Sequence, residues 1–121
     1  MAVFTIHQSH TSDAACDHLN SVGWDGDFAE FQNELEVRRD VKFFGSEKFR
    51  SEMFEVYNPV ARCEAADLDE VFHIGNTGPQ DALRRYMPMH SVSVGDIIET
   101  HTGEHAFFMV DGEGFTQVEV A

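Results

Sequence analysis

Apolar and polar residues alternate at both ends of the chain and fall into helical spacing in between. Val3-Phe4-Thr5-Ile6-His7 alternates and predicts a first strand. Ser12 followed by Asp13 predicts a helix start, because the hydroxyl can accept from a first-turn amide and the acid sits near the positive end of the macrodipole. That helix is expected over residues 13–22, closing at Gly23. After the turn Trp24-Asp25-Gly26-Asp27, Asp27 is placed to cap a second helix with the stripe Phe28, Phe31, Leu35 and Arg38. Gly45-Ser46 interrupts it, and Ser46 is placed to start a further turn through Phe49 and Met53. Phe54-Glu55-Val56-Tyr57 and Val60-Ala61-Arg62-Cys63 read as one strand, kinked or edge-placed at Pro59. Residues 66–72 predict a short helix with Asp67 near its start and Leu68, Val71 and Phe72 on one face. It is expected to run out at the turn formers of 75–79. Residues 80–90 show no clear period and are expected to be a connector.

The C-terminal third carries the clearest pattern. Ser91 to Glu99 leads into a strand, His101-Thr102-Gly103-Glu104 is a hairpin turn, and His105 to Val110 is a second strand. Asp111-Gly112-Glu113-Gly114 turns again into a third strand over residues 115–120, which makes an antiparallel meander. The expected fold is α+β: a small antiparallel sheet of four or five strands with two or three helices packed on one face. The expected core is Phe4, Leu19, Phe31, Leu35, Val56, Leu68, Phe72, Ile97, Phe108 and Phe115.

A length of 121 residues, 42% of them hydrophobic and eleven of them Phe, fits a single domain over 1–121 with ample core material. No apolar run approaches the roughly 20 residues of a membrane span. The start of the chain has neither the basic nor the long apolar region of a signal peptide, so the expected location is cytoplasmic. Cys16 and Cys63 are too few for a disulfide scaffold and read as small apolar side chains.

Charge changes the picture most. There are 22 acids against 8 bases, a formal net charge of −14. Residues 1–37 hold seven acids and no Lys or Arg, residues 86–121 hold six and again none, and every base lies between Arg38 and Arg85. Such a surface repels nucleic acid and anionic lipid, so no direct nucleic-acid binding and no membrane partner are expected. The acidity either serves solubility or salt adaptation, or it presents carboxylates to a basic protein partner. The residues nominated for that contact are Asp25, Asp27, Glu30, Glu34, Glu99, Glu104, Asp111 and Glu113. The two terminal segments are expected to share one anionic surface, with the bases on another.

Catalytic and metal chemistry find little support in spacing. Of the seven histidines, only His7/His10 and His101/His105 are close in sequence. The second pair flanks a turn, where ring directions depend on the loop, and no Cys is nearby to complete a tetrahedral set. Exposed polar histidines are the plainer reading, and no metal or cofactor is expected. Cys16 and His18 are two apart on a helix and do not face each other. No Gly-rich phosphate loop is present, so no enzymatic activity is expected. Trp24, Phe28 and Phe31 read as the core face of a helix or as a partner-binding patch. Residues 84–89, Arg84-Arg85-Tyr86-Met87-Pro88-Met89, read as a surface connector or as a docking loop.

Ser91-Val92-Ser93-Val94-Gly95-Asp96, with Gly114-Phe115 downstream and Asp67-Leu68-Asp69-Glu70-Val71-Phe72 and Asn76 upstream, resembles short, mostly uncharacterised phage and plasmid proteins that include YodL-like domains. The resemblance covers about residues 54–118. It implies a mobile-element origin and carries no established activity and no catalytic residues. The residues themselves give the motif a structural role: Gly95 permits a tight turn or positive φ, and Asp96 accepts from neighbouring amides. The expected function is therefore that of a non-enzymatic accessory protein that binds a host or phage protein through an acidic surface. The alternatives are a nucleic-acid mimic that inhibits a defence or transcription enzyme, and a virion structural or assembly component.

Overall fold

The computed structural model describes residues 2–27 and 29–121. Phe28, expected on the second helix, lies outside the described residues. The architecture is α+β. Among the described residues, six strands form one antiparallel sheet in the order β3-β2-β1-β4-β5-β6. They are β1 (Ala2–Ser9), β2 (Tyr57–Ala65), β3 (Leu83–Arg85), β4 (Ile97–Thr100), β5 (Ala106–Asp111) and β6 (Gly114–Val118). The strand expected first in the chain is central, paired with β2 on one side and β4 on the other. The expected meander is present as β4-β5-β6.

The sixth strand is β3, within the stretch expected to be a connector. Three residues suffice for it because β2 offers Ala61 to Cys63 as partners. Pro59 lies beyond that short pairing, on the part of β2 that pairs with β1 alone. Beside it the β1–β2 register shifts: Ile6 faces Ala61 while His7 faces Pro59, which makes Val60 the extra residue of a bulge.

Helical segments lie against both faces of the sheet, a feature the one-sided expectation did not include. Adjacent residues of a strand point to opposite faces. Ile98 packs with Val71 and Ile74 of α4 (Leu68–Thr77), and Ile97 packs with Val37 and Val41 on the other side. The second helix is one helical run of several pitches: a 3₁₀ turn (Ala29–Phe31), α2 (Gln32–Glu36), a π turn (Val37–Val41) and α3 (Lys42–Phe44). The wide π turn rotates the buried face. Leu35 therefore meets Ala15 and Leu19 of α1 (Asp13–Val22), while Val37 and Val41 meet the sheet. Arg38, expected on the stripe, is exposed as a result.

Local signals held where the chain supplies its own partner. Ser12 Oγ accepts from the Ala15 amide at 3.2 Å, and Asp67 caps α4 through the Glu70 amide at 2.9 Å. Three expectations need correction. Phe54 to Val56 lie in a 3₁₀ turn (Ser51–Val56) rather than a strand, with the Phe54 ring packed among His7, Tyr57 and Phe107. α4 continues through Gly75 to Thr77, because Gly75 lies where a Cβ would meet Val92 Cγ2 at 2.4 Å and the missing side chain lets the helix dock closely. That docking turns Val71 and Ile74 inward and leaves Phe72 39% exposed, so Phe72 is not core. Of the other expected core residues, Phe4, Leu19, Leu35 and Ile97 are buried, while Phe31, Val56, Leu68, Phe108 and Phe115 are half-buried.

Truncating Ile98 to Ala should therefore remove about 2–5 kcal/mol of stability. Truncating Phe72 to Ala should remove less than about 1.5 kcal/mol despite the larger ring. Urea denaturation of both variants measures this, and equal losses would contradict the assigned face of α4.

Candidate functional site

The turn before β4 is built around a buried carboxylate. Asp96 is 1% exposed. Its Oδ2 accepts from the Ser93 amide at 3.0 Å and from Gln8 Nε2 of β1 at 3.1 Å. The Gln8 amide also donates to the His90 carbonyl at 2.9 Å. Gly95, at φ +93°, donates its N–H to the Val110 carbonyl, and Tyr57 O–H donates to the Gly95 carbonyl at 2.5 Å. A Cβ at Gly95 would stand 3.2 Å from the Val41 carbonyl oxygen, so any side chain would push the helical run off the sheet. Burial pushes the Asp96 carboxyl up from 3.8 to about 6, against the Ser93 and Gln8 hydrogen bonds and the His90 and Lys42 charges that favour ionisation. Burial likewise raises the neighbouring Tyr57 hydroxyl. The motif thus has the structural role expected from its residues.

The family model for the YodL-like domain matches residues 27–120. The chain belongs to the YodL-like domain family. The match is longer than the 54–118 expected from the motifs. It takes in the helical run but leaves β1 and α1 outside, although β1 is the central strand of this YodL-like sheet. No curated protein and no solved structure matches the chain.

The eight nominated carboxylates separate into two groups. Asp25, Asp27, Glu30 and Glu34 share the stretch that ends in α2, and Glu30 and Glu34 line a groove with Phe31, Gln32, Glu55 and Val56. Two of its acids, Glu34 and Glu55, are held in place. Glu34 accepts from the Ser12 amide and hydroxyl at 2.9 and 2.8 Å, and Glu55 accepts from Asn33 Nδ2 at 2.7 Å. Asp27 accepts from the Ala29 amide at 3.0 Å. The other four lie on the meander. Glu104 and Glu113 occupy turns at opposite ends of β5, so they do not form one patch. Asp111 accepts from Ser46 N and Oγ, each at 2.7 Å, and from Thr116 Oγ1. Burial alone would raise its carboxyl, and these hydrogen bonds instead hold it below the usual range.

Glu99 gathers histidines. His7 Nε2 lies 2.8 Å from Oε1, His105 Nε2 2.5 Å from Oε2, and His101 Nε2 3.8 Å from Oε1. Burial lowers the His7 imidazole below its ordinary value, outweighing the Glu99 hydrogen bond and charge. A neutral ring donating from Nε2 leaves buried Nδ1 as a bare acceptor; it has no partner among the described residues. Burial would raise Glu99 in turn, and the hydrogen bonds from His105 and His7 overcome it and lower the carboxyl.

Sequence spacing left this cluster unassembled, although the expected hairpin contained the means to find it. A turn centred on Gly103 sets position 101 opposite 105 and 99 opposite 107, all on one face. The observed Glu99–Phe107 pair agrees. Phe43 and Phe44 of α3, 79% and 57% exposed, are a second feature outside the expected stripe. Trp24 is exposed rather than core, and Tyr86 and Met87 of the suggested docking loop are exposed too.

Between about pH 4 and pH 7 the stability of the native chain should fall relative to Asp96→Asn. A carboxyl whose folded value is raised stabilises below its unfolded value and loses that contribution as pH rises through about 6. The fall should be on the order of 2–3 kcal/mol, read as the difference between two urea-denaturation series. A difference that is flat with pH would contradict a protonated Asp96.

Proposed function

We propose that this YodL-like domain is a non-enzymatic accessory protein of a mobile element that docks a protein partner with a basic surface along the helical run of residues 29–44. The observation that supports this reading is the convergence of Glu30, Glu34 and Glu55 on one groove, with Asp25 and Asp27 just before it. Carboxylates already held by Ser12, Asn33 and backbone amides lose little freedom when a Lys or Arg side chain arrives. The net charge of −14 adds long-range attraction for a basic partner. Phe43 and Phe44, at the far end of the same run, supply exposed apolar rings of the kind that anchor an interface. Glu99 and Asp111 serve internal contacts, so the acidic surface in this reading is smaller than the eight nominated residues.

The test is reversal of Asp25, Glu30 and Glu55 to Lys together, leaving Glu34 intact because it holds the start of α1. Tagged native and reversed proteins are used to capture partners from host lysate at low and high salt, with mass spectrometry of what co-elutes. The native chain should retain a partner at low salt that is weakened at high salt and lost on reversal. The same reversal at Glu64, Asp81 and Glu119 should leave capture intact. Equal capture by all three proteins would reduce the groove to a solubility feature.

A further inference from the structure

We propose that Glu99, His101 and His105 form a binding site for a borderline first-row divalent cation of the Zn²⁺ type. One ligand atom from each residue lies within 4.8 Å of the others. Around a tetrahedral ion with bonds of about 2.0–2.1 Å, ligand atoms sit roughly 3.3 Å apart. The present 2.5 Å to Glu99 Oε2 and 3.8 Å to Glu99 Oε1 lie either side of that value, and with every separation within 4.8 Å, side-chain shifts of about 1.5 Å accommodate the ion.

The backbone holds this arrangement before any ion arrives. Glu99 lies on β4, and the two imidazoles stand at the mouth of its hairpin with rings 5.8 Å apart and nearly parallel. Thr100 Oγ1 donates to the Glu104 carbonyl at 2.9 Å and accepts from the Ala106 amide at 3.1 Å, which closes the loop. The loop is also tied to β1: the His101 amide donates to the Val3 carbonyl, and the Val3 amide donates to Thr102 Oγ1, each at 3.0 Å. His7 fixes the Glu99 carboxylate from the protein side, as outer partners of metal ligands commonly do. Thr5 Oγ1, 2.7 Å from His101 Nε2, must turn aside when that nitrogen binds an ion.

The donor set selects the ion. Two imidazoles with one carboxylate suit Zn²⁺ and its first-row neighbours, whereas Mg²⁺ and Ca²⁺ favour all-oxygen sets. Three protein ligands leave a coordination position open. His101 and His105 have side chains 40% and 58% exposed against 15% for Glu99, so that position faces solvent. This inference is independent of the docking groove.

Zn²⁺ is titrated into the full chain against a chromophoric chelator, and Co²⁺ is followed by its visible ligand-field bands. One equivalent should bind. His101→Ala, His105→Ala and Glu99→Gln should each weaken binding by about tenfold or more, while His73→Ala should leave it unchanged. In the unaltered protein, one equivalent of Zn²⁺ should perturb the ring NMR signals of His101 and His105 and spare those of His10, His18 and His73. Absence of stoichiometric binding, binding that survives the double replacement of His101 and His105, or perturbation of other histidines instead would overturn the proposal.

Discussion

Burying a carboxylate in the turn before β4 sets a constraint that the rest of the sheet satisfies. An unpartnered charge there would be prohibitive, so Asp96 must be supplied with donors from the Ser93 backbone and from Gln8 of the central strand. Those donors fix where β1 lies along β4. Gly95 sets the other side of the same turn, where Tyr57 of β2 bonds its carbonyl and the Val41 carbonyl of the π turn fills the space a side chain would need. Four separated pieces of chain thus meet at two adjacent residues. Through this point the sheet is joined to the helical run on one of its faces.

The acidic composition has two uses in the structure. Asp96, Asp111 and Glu34 each accept hydrogen bonds across large gaps in sequence, Asp111 joining the β5–β6 turn to Ser46 and Glu34 joining α2 to Ser12. Such a carboxylate cross-links backbone to backbone without needing a base, which suits a chain whose first 37 residues contain no Lys or Arg. The bases that do occur stay largely local: Arg39 pairs with Asp40, Arg50 with Glu36 and Glu52, and Arg62 with Glu64. Exposed pairs of this kind contribute little stability.

What was legible in the sequence is what short stretches decide for themselves. The caps at Ser12 and Asp67 and the two turns of the meander depend on residues only a few positions apart. Features that depend on register were hidden. Leu68, Val71 and Phe72 satisfy helical spacing on α4, and only the close approach of Gly75 to Val92 selects Ile74 instead of Phe72 beside the buried Val71. Spacing selects Leu35 correctly but then points to Arg38, because a π turn cannot be seen in spacing alone. The Glu99 cluster was partly accessible, since the hairpin fixes His101 opposite His105. The contribution of His7 required knowing that β1 lies beside β4.

The central position of β1 also constrains how the chain is made. Residues 2–9 are synthesised well before their partners, residues 57–65 and 97–100. One long edge of that strand stays open until residues 57–65 have been made, and the other until residues 97–100 have been made. At about 5–20 residues per second, the interval lasts on the order of five to twenty seconds. The nascent chain must therefore remain soluble while a strand carrying Phe4 and Ile6 has at least one edge without a neighbour. The seven acids and absent bases of its first 37 residues give it like-charge repulsion against other nascent copies during that interval.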